Sequence, residues 1–162
     1  MDKQKFTFEY TSYKDSSELS PADEKLLNEA RKVTENAYAP YSNFYVGAII
    51  QLENGATVPG TNQENASYPV GICAERTALS TASSLYPGVG IDTIAVSYNN
   101  KNGGKNDAPI SPCGICRQTI SEYENRQHKP IRIIMSGQSG KVYILQTAQY
   151  LLPFGFTAED ME

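Results

Sequence analysis

The 162-residue chain is 40% hydrophobic and 20% charged, which suits one soluble globular domain with its own core and excludes collagen-like and low-complexity classes. Its formal charge of −4 and isoelectric point near 5.1, without a basic run, argue against a grip on a polyphosphate backbone, so no nucleic-acid polymer is expected as partner. No 18-residue apolar run offers a membrane span, and the first twenty residues lack the apolar core of a secretory signal, so no membrane partner is expected either.

Residues 1–19 read as an extended lead-in, and residues 20–162 as a single domain. Ser20-Pro21 opens a helix: Ser is a preferred N-cap, Pro suits the first helical position, and Asp23 and Glu24 favour the first turn. Leu26, Ala30, Val33 and Ala37 recur at helical spacing, and Pro40 stops the run. Phe44 to Leu52 is a β-rich, mostly apolar segment, Glu53-Asn54-Gly55 signals a hairpin turn, and a return strand follows around Thr57 to Thr61, with Pro59 marking an edge or bulge. Cys73 to Leu85 has helix-forming composition and is closed by Pro87-Gly88. Ile91 to Tyr98 reads as a strand, Asn99 to Ala108 as a polar, Gly-containing loop, Cys113 to Tyr123 as a helix and Ile131 to Met135 as a buried strand. Ser136 to Gly140 turns the chain into Lys141 to Leu145, and Thr147 to Leu152 is a short helix stopped by Pro153. This alternation predicts an α/β fold with a partly parallel sheet covered by helices.

The cysteine and histidine counts carry the chemistry. There are three cysteines, Cys73, Cys113 and Cys116, and one histidine, His128. An odd cysteine number without a secretory signal argues for a reducing compartment, with the cytoplasm as the expected location. Cys113-Gly114-Ile115-Cys116 follows Pro112 at a predicted helix start, where two thiols can converge on one ion and exposed amides favour thiolates. By itself the pair also fits a redox dithiol, half a zinc knuckle or two small buried hydrophobes. Cys73 heads another predicted helix, forty residues upstream. Three protein ligands without a convincing fourth is the pattern of a catalytic zinc that keeps one position for water. His128, in a polar run before Pro130, reads as an exposed loop residue, and a Cys₃His site completed by it is the alternative. Glu75 stands two residues from a candidate ligand, where a carboxylate can take a proton from zinc-bound water; taken alone it also fits a helix-dipole partner. Three thiolates leave a zinc site with net charge −1, which Arg76 and the two helix N-termini are placed to offset.

These residues resemble a known family. Cys73-Ala74-Glu75-Arg76 and Pro112-Cys113-Gly114-Ile115-Cys116-Arg117-Gln118 are similar to the signature of the small all-cysteine, zinc-dependent cytidine deaminases. The run from Ala37 through Asn43-Phe44 to Ala48 resembles that family's first helix-to-strand junction. Gly60-Thr61-Asn62-Gln63-Glu64-Asn65-Ala66-Ser67-Tyr68 resembles its nucleoside-binding strand, and Leu151-Leu152-Pro153-Phe154-Gly155-Phe156 its C-terminal segment. The resemblance implies one Zn²⁺ per chain on Cys73, Cys113 and Cys116, with Glu75 as proton shuttle and Arg76 supporting the sulfurs. It implies Asn62 and Glu64 on the ribose 3′-hydroxyl, Phe44 on the pyrimidine face, the Ala74 backbone against the base, and Phe156 helping to close a neighbouring subunit's site. It also implies a three-layer α/β/α sandwich with a five-stranded mixed sheet, assembled as a homotetramer. This sequence departs from the family pattern in its Pro69-Val70-Gly71-Ile72 run, its long 99–108 loop and its lead-in.

The implied activity is hydrolytic deamination of cytidine and deoxycytidine to uridine and deoxyuridine with release of ammonia, a step of pyrimidine salvage. A same-scaffold deaminase of another aminopyrimidine, such as blasticidin S, is the nearest alternative. A non-catalytic zinc-stabilised binding protein is a rival from another class. A thiol oxidoreductase would leave Cys73 without a role.

Overall fold

The computed structural model describes residues 1–161, and its first helix starts where local chemistry demands. Ser20 Oγ accepts the Asp23 amide at 3.2 Å, and Pro21 opens α1 (Pro21–Val33). The remaining helices are α2 (Ala74–Leu85) and α3 (Gly114–Gln127). The strands are β1 (Thr11–Tyr13), β2 (Phe44–Leu52), β3 (Thr57–Thr61), β4 (Ile91–Asn100), β5 (Arg132–Ser136) and β6 (Val142–Leu145). They form one mixed sheet in the order β1-β6-β5-β4-β2-β3, in which β4 and β5 pair in parallel and the other neighbours antiparallel.

The sheet has six strands, one more than the expected five. The extra strand comes from the lead-in: Thr11, Ser12 and Tyr13 pair with Ile144, Tyr143 and Val142 at the edge of the sheet. Three residues are too few for a visible period-2 pattern, so extension is legible there and pairing is not. Other elements differ from expectation in kind or length: β4 runs on to Asn100 and α3 to Gln127, past the expected Tyr98 and Tyr123. α1 gives way to a 3₁₀ turn, Thr34–Asn36, and the segment after β6 is a 3₁₀ turn, Ala148–Leu151.

Successive strand residues point to opposite faces, and the two faces carry separate cores. Ile49, Ala95, Ile134, Val142 and Ile144 pack with Leu26, Leu27 and Ala30 of α1. Ala48, Ile50, Ile94, Val96, Ile133 and Met135 pack with Ala74, Ala78 and Leu79 of α2 and Ile120 of α3. Burying Leu26 and Leu27 contributes roughly 1.5–3 kcal/mol each. The Arg132–Asp23 ion pair that also joins α1 to the sheet is partly exposed and belongs to a class worth about 0–1 kcal/mol, so apolar burial anchors α1.

α3 is tied down by a buried carboxylate. Glu124 accepts the Ile131 amide at 3.0 Å, the Ala148 amide at 2.7 Å and the Thr147 hydroxyl, joining the helix to the entrance of β5 and the exit of β6. No helix among the described residues is long and apolar enough to cross a membrane.

Candidate active site

The topology collects the chemistry at one edge of the sheet. β2 is antiparallel to both neighbours, so β3 and β4 run the same way and end where β2 begins. The chain continues from β3 into α2 and from β4 into α3, so both helices start from that edge and pack on the same face. Gly60 is what lets α2 lie on β3: a Cβ there would stand 2.3 Å from the Ala74 carbonyl oxygen and 2.4 Å from the Ala78 nitrogen. Just before α2, Gln63 and Ile72 exchange backbone hydrogen bonds at 2.9 and 3.0 Å, closing the intervening loop and fixing where Cys73 falls.

Cys73 and Cys113 are the N-cap residues of α2 and α3, and neither side chain is spent on a capping hydrogen bond. Cys116 lies one turn into α3, fully buried. The three sulfurs lie within 4.8 Å of one another. A zinc ion about 2.3 Å from each of three sulfurs at tetrahedral angles sets them about 3.8 Å apart. Here Cys73 Sγ is 3.7 Å from Cys113 Sγ, and Cys113 Sγ is 3.5 Å from Cys116 Sγ. The donor set therefore fits one zinc ion. The Cys73 thiol is lowered to about 6, first by a hydrogen bond from Cys116 and further by Cys113 and the charge of Arg76, against burial and the Glu75 carboxylate. Cys116 is pushed up, first by that same bond to Cys73 and then by burial. Arg76 makes no hydrogen bond to a sulfur among the described residues; its effect on the cluster is through charge.

Glu75, in the first turn of α2, is 4% exposed. Burial raises its carboxyl above the ordinary range, against hydrogen bonds from its own amide and from Cys116. His128 is not in the sulfur cluster. It caps the far end of α3 in a left-handed conformation, twelve steps along the helix from Cys116, a rise of about 18 Å. The Cys₃His alternative is thereby closed.

Phe44, Asn62 and Glu64 meet at the same sheet edge. The Asn62 side chain clamps the start of β2: Oδ1 accepts the Val46 amide at 2.7 Å and Nδ2 donates to the Phe44 carbonyl at 2.9 Å. One Nδ2 hydrogen remains for another acceptor. Glu64 Oε2 accepts the Tyr41 and Ser42 amides at 2.9 and 3.2 Å, and its other oxygen makes no hydrogen bond among the described residues. Partial burial works to raise the Glu64 carboxyl, but hydrogen bonds from Ser42 and Tyr41 prevail and hold it below its ordinary value. Its grip on the Tyr41–Ser42 turn is therefore present at neutral pH and is lost as pH falls through that lowered value. Ala74 is buried with its carbonyl against Gly60, and its amide, at the first position of α2, has no acceptor inside the helix.

Sequence reasoning gave no role to several residues that the structure brings in. Tyr41 and Tyr68 meet edge to face at 5.8 Å and, with Ser42, Glu64, Asn65 and Gly71, line a cavity of about 350 Å³. The larger hollow, about 690 Å³ beside His128 and Lys129, is lined by no cysteine. Arg117 donates to the Pro112 carbonyl, the Ser111 hydroxyl and the Leu151 carbonyl, fixing the approach to Cys113 and tying the C-terminal segment to α3. Phe156 is exposed on that segment, and its carbonyl accepts from Gln118 at 2.7 Å.

Known proteins resemble this chain in sequence and in fold. Residues 20–129 match the family model for the cytidine and deoxycytidylate deaminase zinc-binding region. A cytidine deaminase from Halalkalibacterium halodurans is 40% identical over 136 residues, covering 84% of this chain and 95% of that one. One from Sporosarcina psychrophila is 38% identical over 139 residues, covering 85% and 93%. The crystal structure of cytidine deaminase from Burkholderia pseudomallei, 36% identical, matches with a TM-score of 0.71 over 85% of this chain and 100% of that one. With more than half of its length under that family model, and relatives of this identity matched along nearly their whole length, the chain belongs to the zinc-binding cytidine and deoxycytidylate deaminase family.

Proposed function

We propose that this protein hydrolyses cytidine and deoxycytidine to uridine and deoxyuridine, one water consumed and one ammonia released per turnover, as a cytoplasmic enzyme of pyrimidine salvage. The observation that carries the reading is a buried carboxylate, Glu75, beside three sulfurs spaced for a single ion. A non-catalytic zinc site has no use for that carboxylate. Residues 20–162 form the catalytic domain in this reading, with residues 1–19 as its lead-in.

Cys73, Cys113 and Cys116 hold zinc, which when bound supplies the Lewis acidity that makes water a competent nucleophile near neutral pH. Glu75 takes a proton from the attacking water and delivers it to N3 of the pyrimidine, then helps the amine leave from C4. Its raised carboxyl suits a group that must both accept and return a proton. Arg76 offsets the negative charge of the sulfurs. Phe44 carries one face of the base and the Ala74 backbone borders it. The ribose 3′-hydroxyl is held by the free Nδ2 hydrogen of Asn62 and the free oxygen of Glu64.

Following ultraviolet absorbance with cytidine, deoxycytidine, cytosine, CMP and blasticidin S tests the substrate. The two nucleosides are expected to turn over in preference to the rest. Preference for the free base, the nucleotide or blasticidin S would replace this assignment.

Glu64→Gln is expected to lower kcat/KM on cytidine roughly tenfold or more, since hydrogen bonds to charged groups are worth about 1.5–3 kcal/mol. A glutamine Oε1 can still accept the turn amides, so the Tyr41–Ser42 turn should persist. The check is a cycle with 3′-deoxycytidine, which should lose little more in the variant than it has already lost in the wild type. Equal losses on both compounds would remove Glu64 from the 3′-hydroxyl.

The assembly in this reading is a homotetramer in which Phe156 reaches a neighbour's site. Tyr68, Val70, Ile115, Phe154 and Phe156 are all exposed, and in this reading a subunit interface covers them. Light scattering is expected to give roughly four times 17.8 kDa. A fully active monomer would end the cross-subunit role of Phe156.

A further inference from the structure

Phe44 has little freedom in its backbone. Its amide donates to Ser42 Oγ at 3.1 Å and its carbonyl accepts from Asn62 at 2.9 Å. The residue before it, Asn43, is held in the left-handed region at φ 53, with its carbonyl taking the Lys101 amide at 3.0 Å. Asn102, in the loop that follows β4, donates to the Ser42 carbonyl at 2.7 Å. What remains free is rotation of the ring about its side-chain bonds, and this is where Tyr98 acts.

In the β2–β4 register Tyr98 lies opposite Val46, so Phe44, Val46 and Tyr98 share the sheet face that carries α2 and α3. Tyr98 is 9% exposed. Its ring stacks on Phe44 with centroids 5.0 Å apart and planes within 9°. A flat ring has two faces. Tyr98 covers one of them, and in the reading of Phe44 as the base platform the pyrimidine takes the other.

We propose that Tyr98 is a positioning residue for substrate recognition, holding the Phe44 ring in the plane on which the pyrimidine stacks. This rests on the reading of Phe44 as the base platform. The stack joins ring to ring, so the Tyr98 hydroxyl contributes nothing to it and phenylalanine can replace tyrosine. A buried non-aromatic side chain fills the space but sets no plane, so Phe44 samples other rotamers and nucleoside binding weakens.

The test is a double-mutant cycle read in kcat, KM and the inhibition constant of uridine, with zinc content and Tm measured for each variant. Tyr98→Phe is expected to match the wild type. Tyr98→Leu is expected to raise KM for cytidine and weaken uridine by the same factor, about 3- to 10-fold, with kcat changed by less than that factor and zinc retained. In a Phe44→Leu background, Tyr98→Leu should then add no further loss. Tyr98→Met is a second non-aromatic variant of different shape, so the test does not depend on one substitution folding. A Tyr98→Leu KM within twofold of wild type overturns the inference, as does an equal loss with and without Phe44, which would mark Tyr98 as merely structural. Phe44→Leu with a wild-type KM is a separate failure: it removes the platform reading itself and the inference with it.

Discussion

Glu75→Gln is expected to keep one zinc per chain and to lose at least about 100-fold in turnover of cytidine, the lower end of what a positioned general acid–base group contributes. Glutamine preserves shape and hydrogen-bonding reach but can neither take the water proton nor return it. Glu75 is 4% exposed, so a role as a mere helix-dipole partner is a poor account of it: such carboxylates act at the surface for roughly 0.3–1 kcal/mol. A buried carboxyl kept without an ion partner costs stability, and Glu75→Gln removes that cost. The variant is therefore expected to melt no lower than the wild type while being far less active. Turnover and zinc content measured on one preparation check this; activity close to wild type would return Glu75 to the structure and out of the chemistry.

Cys113→Ala is expected to cost more than about 100-fold in zinc affinity, since even outer-shell partners of a ligand cost 10–100-fold, and activity should fall with the metal. Among the three cysteines this is the sharpest test because Cys113 is exposed. Its truncation removes almost no packing, and surface substitutions away from special features stay within about 0.5 kcal/mol. A surface cysteine and a zinc ligand thus predict opposite results. Elemental analysis after dialysis, paired with an activity assay, reads the difference; unchanged zinc content would break the three-sulfur site.

Much of this site was legible because its elements announce themselves locally. Ser20-Pro21 and the Cys-x-x-Cys after Pro112 are short-range signals, and the helices begin within a residue of where those signals put them. Cys73 and Cys113 emerge as N-caps, the positions where thiolates gain most from a helix start. What stayed hidden depends on contacts between distant segments. β1 is visible as extended chain, but its pairing with β6 spans most of the sequence. The double duty of Asn62, binding β2 backbone while keeping one hydrogen free, follows from β3 lying beside β2. The Tyr98–Phe44 stack depends on the β2–β4 register, and a one-residue slip would send Tyr98 to the α1 face. α3 also runs past the expected Tyr123 to Gln127, because Glu124 is paid for by amides from β5 and from the segment after β6, which no helical periodicity reveals.

The most direct test of zinc-dependent deamination is a metal titration. The protein is stripped with a chelator under reducing conditions, zinc is returned in steps, and ammonia and uridine released from cytidine are measured at each step. Activity is expected to be near zero without metal, to rise in proportion to bound zinc, to level off at one ion per chain, and to yield ammonia and uridine in equal amounts. Metal-free protein that still releases ammonia, or fully loaded, folded protein that releases none, would contradict it.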